Sequence, residues 1–246
     1  MNKIPRDYLV IALDSLGELN QIQHFIGQTQ KYCGTYKIGL ELFTRFGPSV
    51  FDTIRKAKRN IFLDLKYHDI PNTVANAVMA ASEHGVQFCT IHTHGGMAMM
   101  SAAVAAGQSA HEKGLLPPKL IGVTVLTSID EKCLHNELKV KHSVTNHVLH
   151  LARLSISAGM DGIVCSAADL PYLKKRLPKI PDGFEIVTPG IRQKGSAVHD
   201  QKRTTTPCEA ISRGATLLVV GREVTSANDP EIAVRKILSD LPNDEI

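Results

Sequence analysis

Short apolar runs recur along the chain, separated by longer stretches in which apolar positions return every three or four residues. Residues 8–13 (YLVIAL) form the first run, followed by 35–39, 60–65, 87–92, 120–126, 161–165, 184–187 and 216–220. Several are apolar at every position instead of alternating with polar residues, the pattern of parallel strands covered on both faces. Helical periodicity occupies residues 18–30, 42–58, 72–83, 98–110, 144–157, 169–177 and 231–238. The second of these is broken near Gly47-Pro48 and reads as one or two helices. The fourth is almost pure alanine with other small residues, which are good helix formers.

Eight strand–helix repeats in 246 residues predict an α/β fold, a single (β/α)8 barrel of the usual size of about 250 residues. The alternative is an open doubly wound sheet. That arrangement calls for a glycine-rich fingerprint after the first strand, and Asp14-Ser15-Leu16-Gly17 is not one. No shift in composition divides the chain, so residues 1–246 are read as one barrel domain. Segment 188–206 (TPGIRQKGSAVHDQKRTTT) exceeds the ~12–15 residues beyond which plain connections are uncommon. It lies between strands seven and eight, where such barrels often bind phosphate.

Composition changes this picture only a little. Aromatic residues make up 5% of the chain and tryptophan is absent, so aliphatic side chains must fill the core. The net charge of +4 is spread along the sequence apart from Lys174-Lys175-Arg176 and Lys202-Arg203. That scatter argues against a nucleic-acid partner and suits a small anionic substrate, or a basic surface without functional meaning. The five cysteines form no C-x-x-C pair and no zinc spacing, and read as buried residues of a reducing compartment. Met1 to Asp7 lacks the apolar stretch of a signal peptide, and no run reaches the ~18 apolar residues of a membrane span. A cytoplasmic protein with no membrane partner is expected.

Catalytic groups of a barrel come from the C-terminal ends of its strands. Here those ends carry Asp14 (strand one), Lys37 (two), Asp64-Leu65-Lys66 and then Asp69 (three), and His92-Thr93-His94-Gly95-Gly96 (four). Thr127-Ser128 follows strand five, Pro189-Gly190-Ile191-Arg192 strand seven and Gly221-Arg222 strand eight. Asp64 and Lys66 are two positions apart, hence on one side of an extended strand facing the barrel axis or its mouth. Charges there are costly unless paired. An isolated D-x-K can be a structural ion pair, but Lys37 on the neighbouring strand adds a second cation to the same mouth. Ile70-Pro71-Asn72-Thr73 reads as a helix start. His92 and His94 have no third ligand in sight, so hydrogen-bonded structural roles are expected and a metal site is not.

Residues 62–73 (FLDLKYHDIPNT) resemble the D-x-K-x-x-D-I-P-N-T signature of the orotidine 5′-phosphate decarboxylases. The resemblance extends to Leu9 through Asp14, Lys37-Ile38-Gly39, the VTVLTS of 123–128, Pro189-Gly190-Ile191-Arg192, Asp200-Gln201-Lys202-Arg203 and Val220-Gly221-Arg222, in the same order. It implies a cofactor-free, metal-free enzyme converting orotidine 5′-phosphate to UMP and CO2. Lys37, Asp64, Lys66 and Asp69 would form the catalytic array, with Lys66 donating the proton to C6. Asp64 would lie near the departing carboxylate, and Asp14 and Lys37 would contact the ribose. Thr127, or Ser128 beside it, would meet the pyrimidine, and Ile70 and Thr73 are carried over as substrate-site residues. Arg192, Gln201, Gly221 and Arg222 would hold the 5′-phosphate. The resemblance also implies a homodimer in which Asp69 crosses to the partner's site. The family usually has a small residue where His94 stands. The nearest rival is a related sugar-phosphate barrel that shares D-x-K-x-x-D but binds Mg²⁺ through an acidic residue at the end of strand two, where this chain has Lys37. A non-catalytic phosphate sensor would have no need of a lysine between carboxylates.

Overall fold

The strand sequences are apolar throughout because each strand is buried from two sides at once. In a computed structural model of the protein, which describes residues 5–177, 179–193 and 205–242, eight strands close into a barrel in sequence order, every neighbouring pair parallel. They are β1 (Leu9–Ala12), β2 (Thr35–Gly39), β3 (Asn60–Tyr67), β4 (Phe88–His92), β5 (Lys119–Val123), β6 (Gly162–Val164), β7 (Glu185–Thr188) and β8 (Leu217–Val220). Val10, Phe62, Phe88, Ile121, Val187 and Leu217 cluster together inside the barrel. Their sequence neighbours, such as Leu9, Ile11, Ile61, Leu63, Ile186 and Leu218, belong to a separate cluster under the helices. The period of two is therefore present, but both phases are apolar.

The helices follow the expected order: α1 (Leu19–Thr29), α2 (Leu40–Phe46), α3 (Val50–Lys56), α4 (Pro71–Glu83), α5 (Gly96–Glu112), α6 (Glu131–Asn136), α7 (Val144–Ser157), α8 (Leu170–Arg176), α9 (Pro207–Ser212), α10 (Arg222–Thr225) and α11 (Pro230–Ser239). The break between α2 and α3 falls at Gly47, whose φ of 56° suits a residue without a Cβ, and at Pro48 beside it. Helix α4 starts with Pro71 in its first turn after an extended Ile70, as the I-P-N-T run predicts. Helices α6, α9 and α10 are too short to show a period, and the apolar pattern misses them. A signal for α9 does exist: Thr206 and Glu209 form a capping box around Pro207. Strand β5 stops at Val123, short of the expected 126. Among the described residues, no helix is long and apolar enough to cross a membrane.

Two local features prepare the mouth of the barrel. Between β3 and β4 the register moves from Leu63↔Cys89 to Tyr67↔Ile91, so β3 uses four residues where β4 uses two. This bulge bends β3 outward at its C-terminal end. At the end of β2, Gly39 leaves room for the Asp14 carboxylate, whose Cγ would lie 2.8 Å from a Cβ built on that glycine. An alanine there meets the carboxylate at less than contact distance. Gly39→Ala should therefore lower stability by about 1–3 kcal/mol through overpacking, read as a lower midpoint in urea denaturation. A midpoint equal to that of the wild type would show that Asp14 is free to move aside.

Candidate active site

The mouth of the barrel opens into a cavity of about 610 Å³. Along one wall four charged side chains, from two strands and the loop after β1, alternate in sign. Lys37 Nζ lies 2.7 Å from Asp14 Oδ2 and 3.1 Å from Asp64 Oδ2. Lys66 Nζ lies 2.9 Å from Asp64 Oδ1. The order is thus Asp14, Lys37, Asp64, Lys66. Lys37 is only 8% exposed. Burial works against its charge, yet Asp64 and Asp14 outweigh burial and hold its pKa above the ordinary lysine value. Burial likewise opposes ionisation of Asp64, and Lys37 and Lys66 overcome it, holding the carboxyl below the usual carboxylate range. The two inner groups, Lys37 and Asp64, are held charged by their neighbours.

Asp64 and Lys66 do meet, but not for the reason that their spacing suggests. An extended strand would place them on one side by its pleat. Here β3 bulges, and Lys66 has a φ of 50°, in the left-handed region. The lysine reaches Asp64 by a local turn of the backbone, and its amide N–H is satisfied by Thr90 Oγ1 at 2.9 Å. The same hydroxyl donates to Asp64 Oδ1 at 3.0 Å. Thr90 lies inside the run 87–92 and carried no signal in the sequence.

The lining that follows β7 and β8 carries two arginines. Gly190, with a φ of 82°, turns the chain away from β7, and Arg192 follows, 7% exposed. Its Nη1 donates to the carbonyl of Ile191, while Nε is buried without a hydrogen-bond partner among the described residues and stands 3.9 Å from Glu223 Oε2. Arg222 opens α10 directly after β8 and lines the cavity with Gly221. A bridge between Ile191 and Thr205, with Arg192 N–H donating to the Thr205 carbonyl at 2.9 Å, draws the two ends of the long β7–α9 connection together. Such a pair of arginines suits a phosphate or carboxylate.

Of the residues singled out in the sequence, Asp14, Lys37, Asp64, Lys66, Thr127, Arg192, Gly221 and Arg222 line this one cavity. Asp69, Ile70, Thr73 and Ser128 do not; all four are exposed. Asp69 Oδ1 accepts from the Ile70 amide at 2.7 Å, and Ile70 is 67% exposed. Gln201 lies outside the described residues.

Behind the array runs a file of histidine rings. His68 and His92 have centroids 5.5 Å apart, His92 and His94 6.1 Å, and His94 and His147 of α7 5.1 Å. His94 Nε2 and His147 Nε2 are 3.0 Å apart, so one donates and the other accepts. His94 therefore has a structural partner that its position in the sequence did not reveal. Among the described residues, no group of three or more His, Cys, Asp or Glu is arranged to hold a metal ion. Burial, with the neighbouring His68, His94 and Lys66, pushes the His92 pKa down to about 4.

The closed parallel barrel and the paired lysines and aspartates at its mouth define a (β/α)8-barrel enzyme whose centre is built from charged side chains. The comparisons narrow the class. The chain belongs to the Orotidine 5′-phosphate decarboxylase / HUMPS family, whose model matches residues 7–237. It is 41% identical over 226 residues to the "Orotidine 5′-phosphate decarboxylase" of Prochlorococcus marinus (strain NATL1A), covering 92% of each chain. It is 44% identical over 237 residues to the protein of that name from Nitrosococcus oceani, covering 96% of this chain and 97% of the relative. The crystal structure of orotidine 5′-phosphate decarboxylase from Lactobacillus acidophilus superposes with a TM-score of 0.80 at 35% identity, over 94% of this chain and 97% of that one.

His92 sets a pH dependence of stability. Its folded pKa lies below the unfolded value of 6.5. The unfolded chain therefore takes up the proton first, and stability falls as the pH drops from about 6.5 towards 4. In His92→Gln that fall should be shallower, measured as urea midpoints at intervals across this window. Parallel curves for the two proteins would mean that His92 takes up its proton as readily folded as unfolded.

Proposed function

We propose that the protein is an orotidine 5′-phosphate decarboxylase, converting orotidine 5′-phosphate to UMP and CO2 in pyrimidine biosynthesis without a metal or organic cofactor. The observation that carries this reading is the alternating chain Asp14–Lys37–Asp64–Lys66 at the mouth of the barrel. Decarboxylation at an sp² ring carbon leaves an electron pair in the ring plane, which no conjugated carbonyl absorbs. A fixed positive charge must stand where that pair forms. The Lys66 ammonium, oriented by Asp64, supplies it without reorganisation. The same ammonium then delivers its proton to C6 and completes UMP. Lys37 and Asp14, hydrogen-bonded to each other, meet the ribose hydroxyls, and Thr127 meets the pyrimidine. Arg192, Arg222 and the backbone at Gly221 hold the 5′-phosphate, with Gln201 from the connection 188–206. Binding energy from the phosphate, remote from the breaking bond, goes into assembling the centre.

In this reading residues 1–246 are a single domain and the protein is a cytoplasmic homodimer. The exposed turn from Asp69 to Thr73, with Ile70 presenting an apolar side chain, faces away from its own cavity. That position suits delivery of Asp69, Ile70 and Thr73 to the cavity of a second copy. The Mg²⁺-dependent sugar-phosphate rival is disfavoured by Lys37, whose ammonium lies between the two carboxylates that would otherwise be free to take a cation.

Purified protein should consume orotidine 5′-phosphate, followed as loss of its ultraviolet absorbance with UMP formed in equal amount, at the same rate before and after exhaustive treatment with EDTA. Activity abolished by the chelator and restored by Mg²⁺ would favour the sugar-phosphate reading instead. A second expectation concerns the shared site. Lys66→Ala and Asp69→Ala should each be almost inactive. When the two are mixed and subunits exchange, about half of the dimers are mixed by two-fold symmetry, and each of those has one intact site. Activity should recover to about a quarter of wild type per site. If tagged subunits exchange and no activity returns, Asp69 acts within its own chain or not at all.

A further inference from the structure

The centre depends on a stretch of β3 that the sheet itself does not hold. Between Leu63 and Tyr67 the β3–β4 ladder is interrupted, and within that gap Lys66 adopts a left-handed backbone that favours glycine. One buried side chain spans the gap. Thr90 on β4 is 0% exposed and borders the cavity. Its hydroxyl accepts from the Lys66 amide at 2.9 Å and donates to Asp64 Oδ1 at 3.0 Å. Asp64 Oδ1 in turn accepts from Lys66 Nζ at 2.9 Å. The direction of these bonds is forced. An amide N–H can only donate and an ionised carboxylate can only accept, so the hydroxyl proton must point at Asp64. One hydroxyl thus ties both ends of Lys66, its amide directly and its ammonium through Asp64. A β-branched residue has few χ1 choices on a strand, so the hydroxyl is aimed by the backbone of β4.

We propose that Thr90 is a positioning residue for decarboxylation: it fixes the bulge of β3 so that the Asp64 carboxylate and the Lys66 ammonium face the reacting carbon. This rests on the function proposed above. Thr90 does not touch the phosphate-binding arginines, so its contribution belongs to the chemical step and not to nucleotide affinity. Asp64 is also faced by Lys37 from β2, by Lys66 from its own strand, and by Cys89 and His92 from β4. Of these, the lysines keep it ionised.

The test compares Thr90→Val, which keeps the branched shape and loses the hydroxyl, with Thr90→Ser, which keeps the hydroxyl. Thermal melts of all proteins establish folding, and Thr90→Ala replaces the valine variant if that protein does not fold. Thr90→Val should lose roughly tenfold to a hundredfold in kcat, what one hydrogen bond to a charged group is worth. Its affinity for UMP should stay within about twofold, because the ground-state grip on the phosphate is untouched. The acidic limb of its pH–rate profile should move to higher pH, because Asp64 loses a hydrogen bond that favours its charged form. Thr90→Ser should restore most of the rate and the wild-type limb. Wild-type kcat and pH profile in Thr90→Val would overturn the proposal. So would a serine variant as impaired as the valine one, which would assign the effect to the methyl group, or a matching loss of UMP affinity, which would assign it to general damage at the mouth. A wild-type protein that does not turn over orotidine 5′-phosphate removes the underlying function and this role with it. A wild-type enzyme that does, beside an unimpaired Thr90→Val, removes this role alone.

Discussion

Everything at the mouth of this barrel follows from the requirement that a buried charge have a partner. Two aspartates and two lysines stand in a line, each inner member touching two groups of opposite sign. Burial opposes the charge of the two inner members, Lys37 and Asp64, and their neighbours overcome it. Together the four sum to no net charge. The strands serve this line. β1 leads to Asp14, β2 supplies Lys37 in register with the start of β3, and β3 supplies Asp64 and Lys66. Gly39 is small so that the first link can close. Removal of one member would leave the line with an unbalanced charge, so the array is a unit and not four separate contributions.

The barrel was legible in the sequence because both faces of every strand are buried. Runs such as 8–13 and 216–220 read as apolar without alternation, and that property separates this architecture from a half-exposed antiparallel sheet. Helices α6, α9 and α10 were not legible in that way, because elements of four to six residues are too short to show a period and depend on caps. The site was legible to the extent that it is charged. Asp14, Lys37, Asp64, Lys66, Arg192 and Arg222 stand out at strand ends, and all six meet in one cavity. The bulge of β3 did not stand out. The pairing of Asp64 with Lys66 was expected from a pleat and arises from a left-handed turn. Thr90 was hidden for a related reason: a hydroxyl inside an otherwise apolar strand looks like one more β-former.

The histidine file is held together by neighbouring elements. His94, just after β4, meets His147 of α7 at hydrogen-bond distance. Two imidazoles facing through Nε2 can share one proton but not accommodate one each, so the pair is confined to the neutral or singly charged state. Burial and, for His147, the further rings at His142 and His150 act in the same sense, lowering both pKa values. His92, the ring nearest the array, is kept neutral and adds no charge to the balance that Asp64 and the lysines maintain.

The bridge between Ile191 and Thr205 bears on how the connection after β7 can vary in length. Because the bridge fixes where that connection leaves and rejoins the barrel, residues added or removed between the two points change the entropy of closing a loop without moving those two points. Each doubling of loop length adds about 0.6 kcal/mol to that cost, a small fraction of the stability of a typical domain. Length in this connection therefore costs little stability while Arg192 and the strand ends keep their places, and its composition is constrained only where it meets the phosphate, as proposed for Gln201. Two backbone hydrogen bonds separate the anchoring of Arg192 from the length of the chain beyond it.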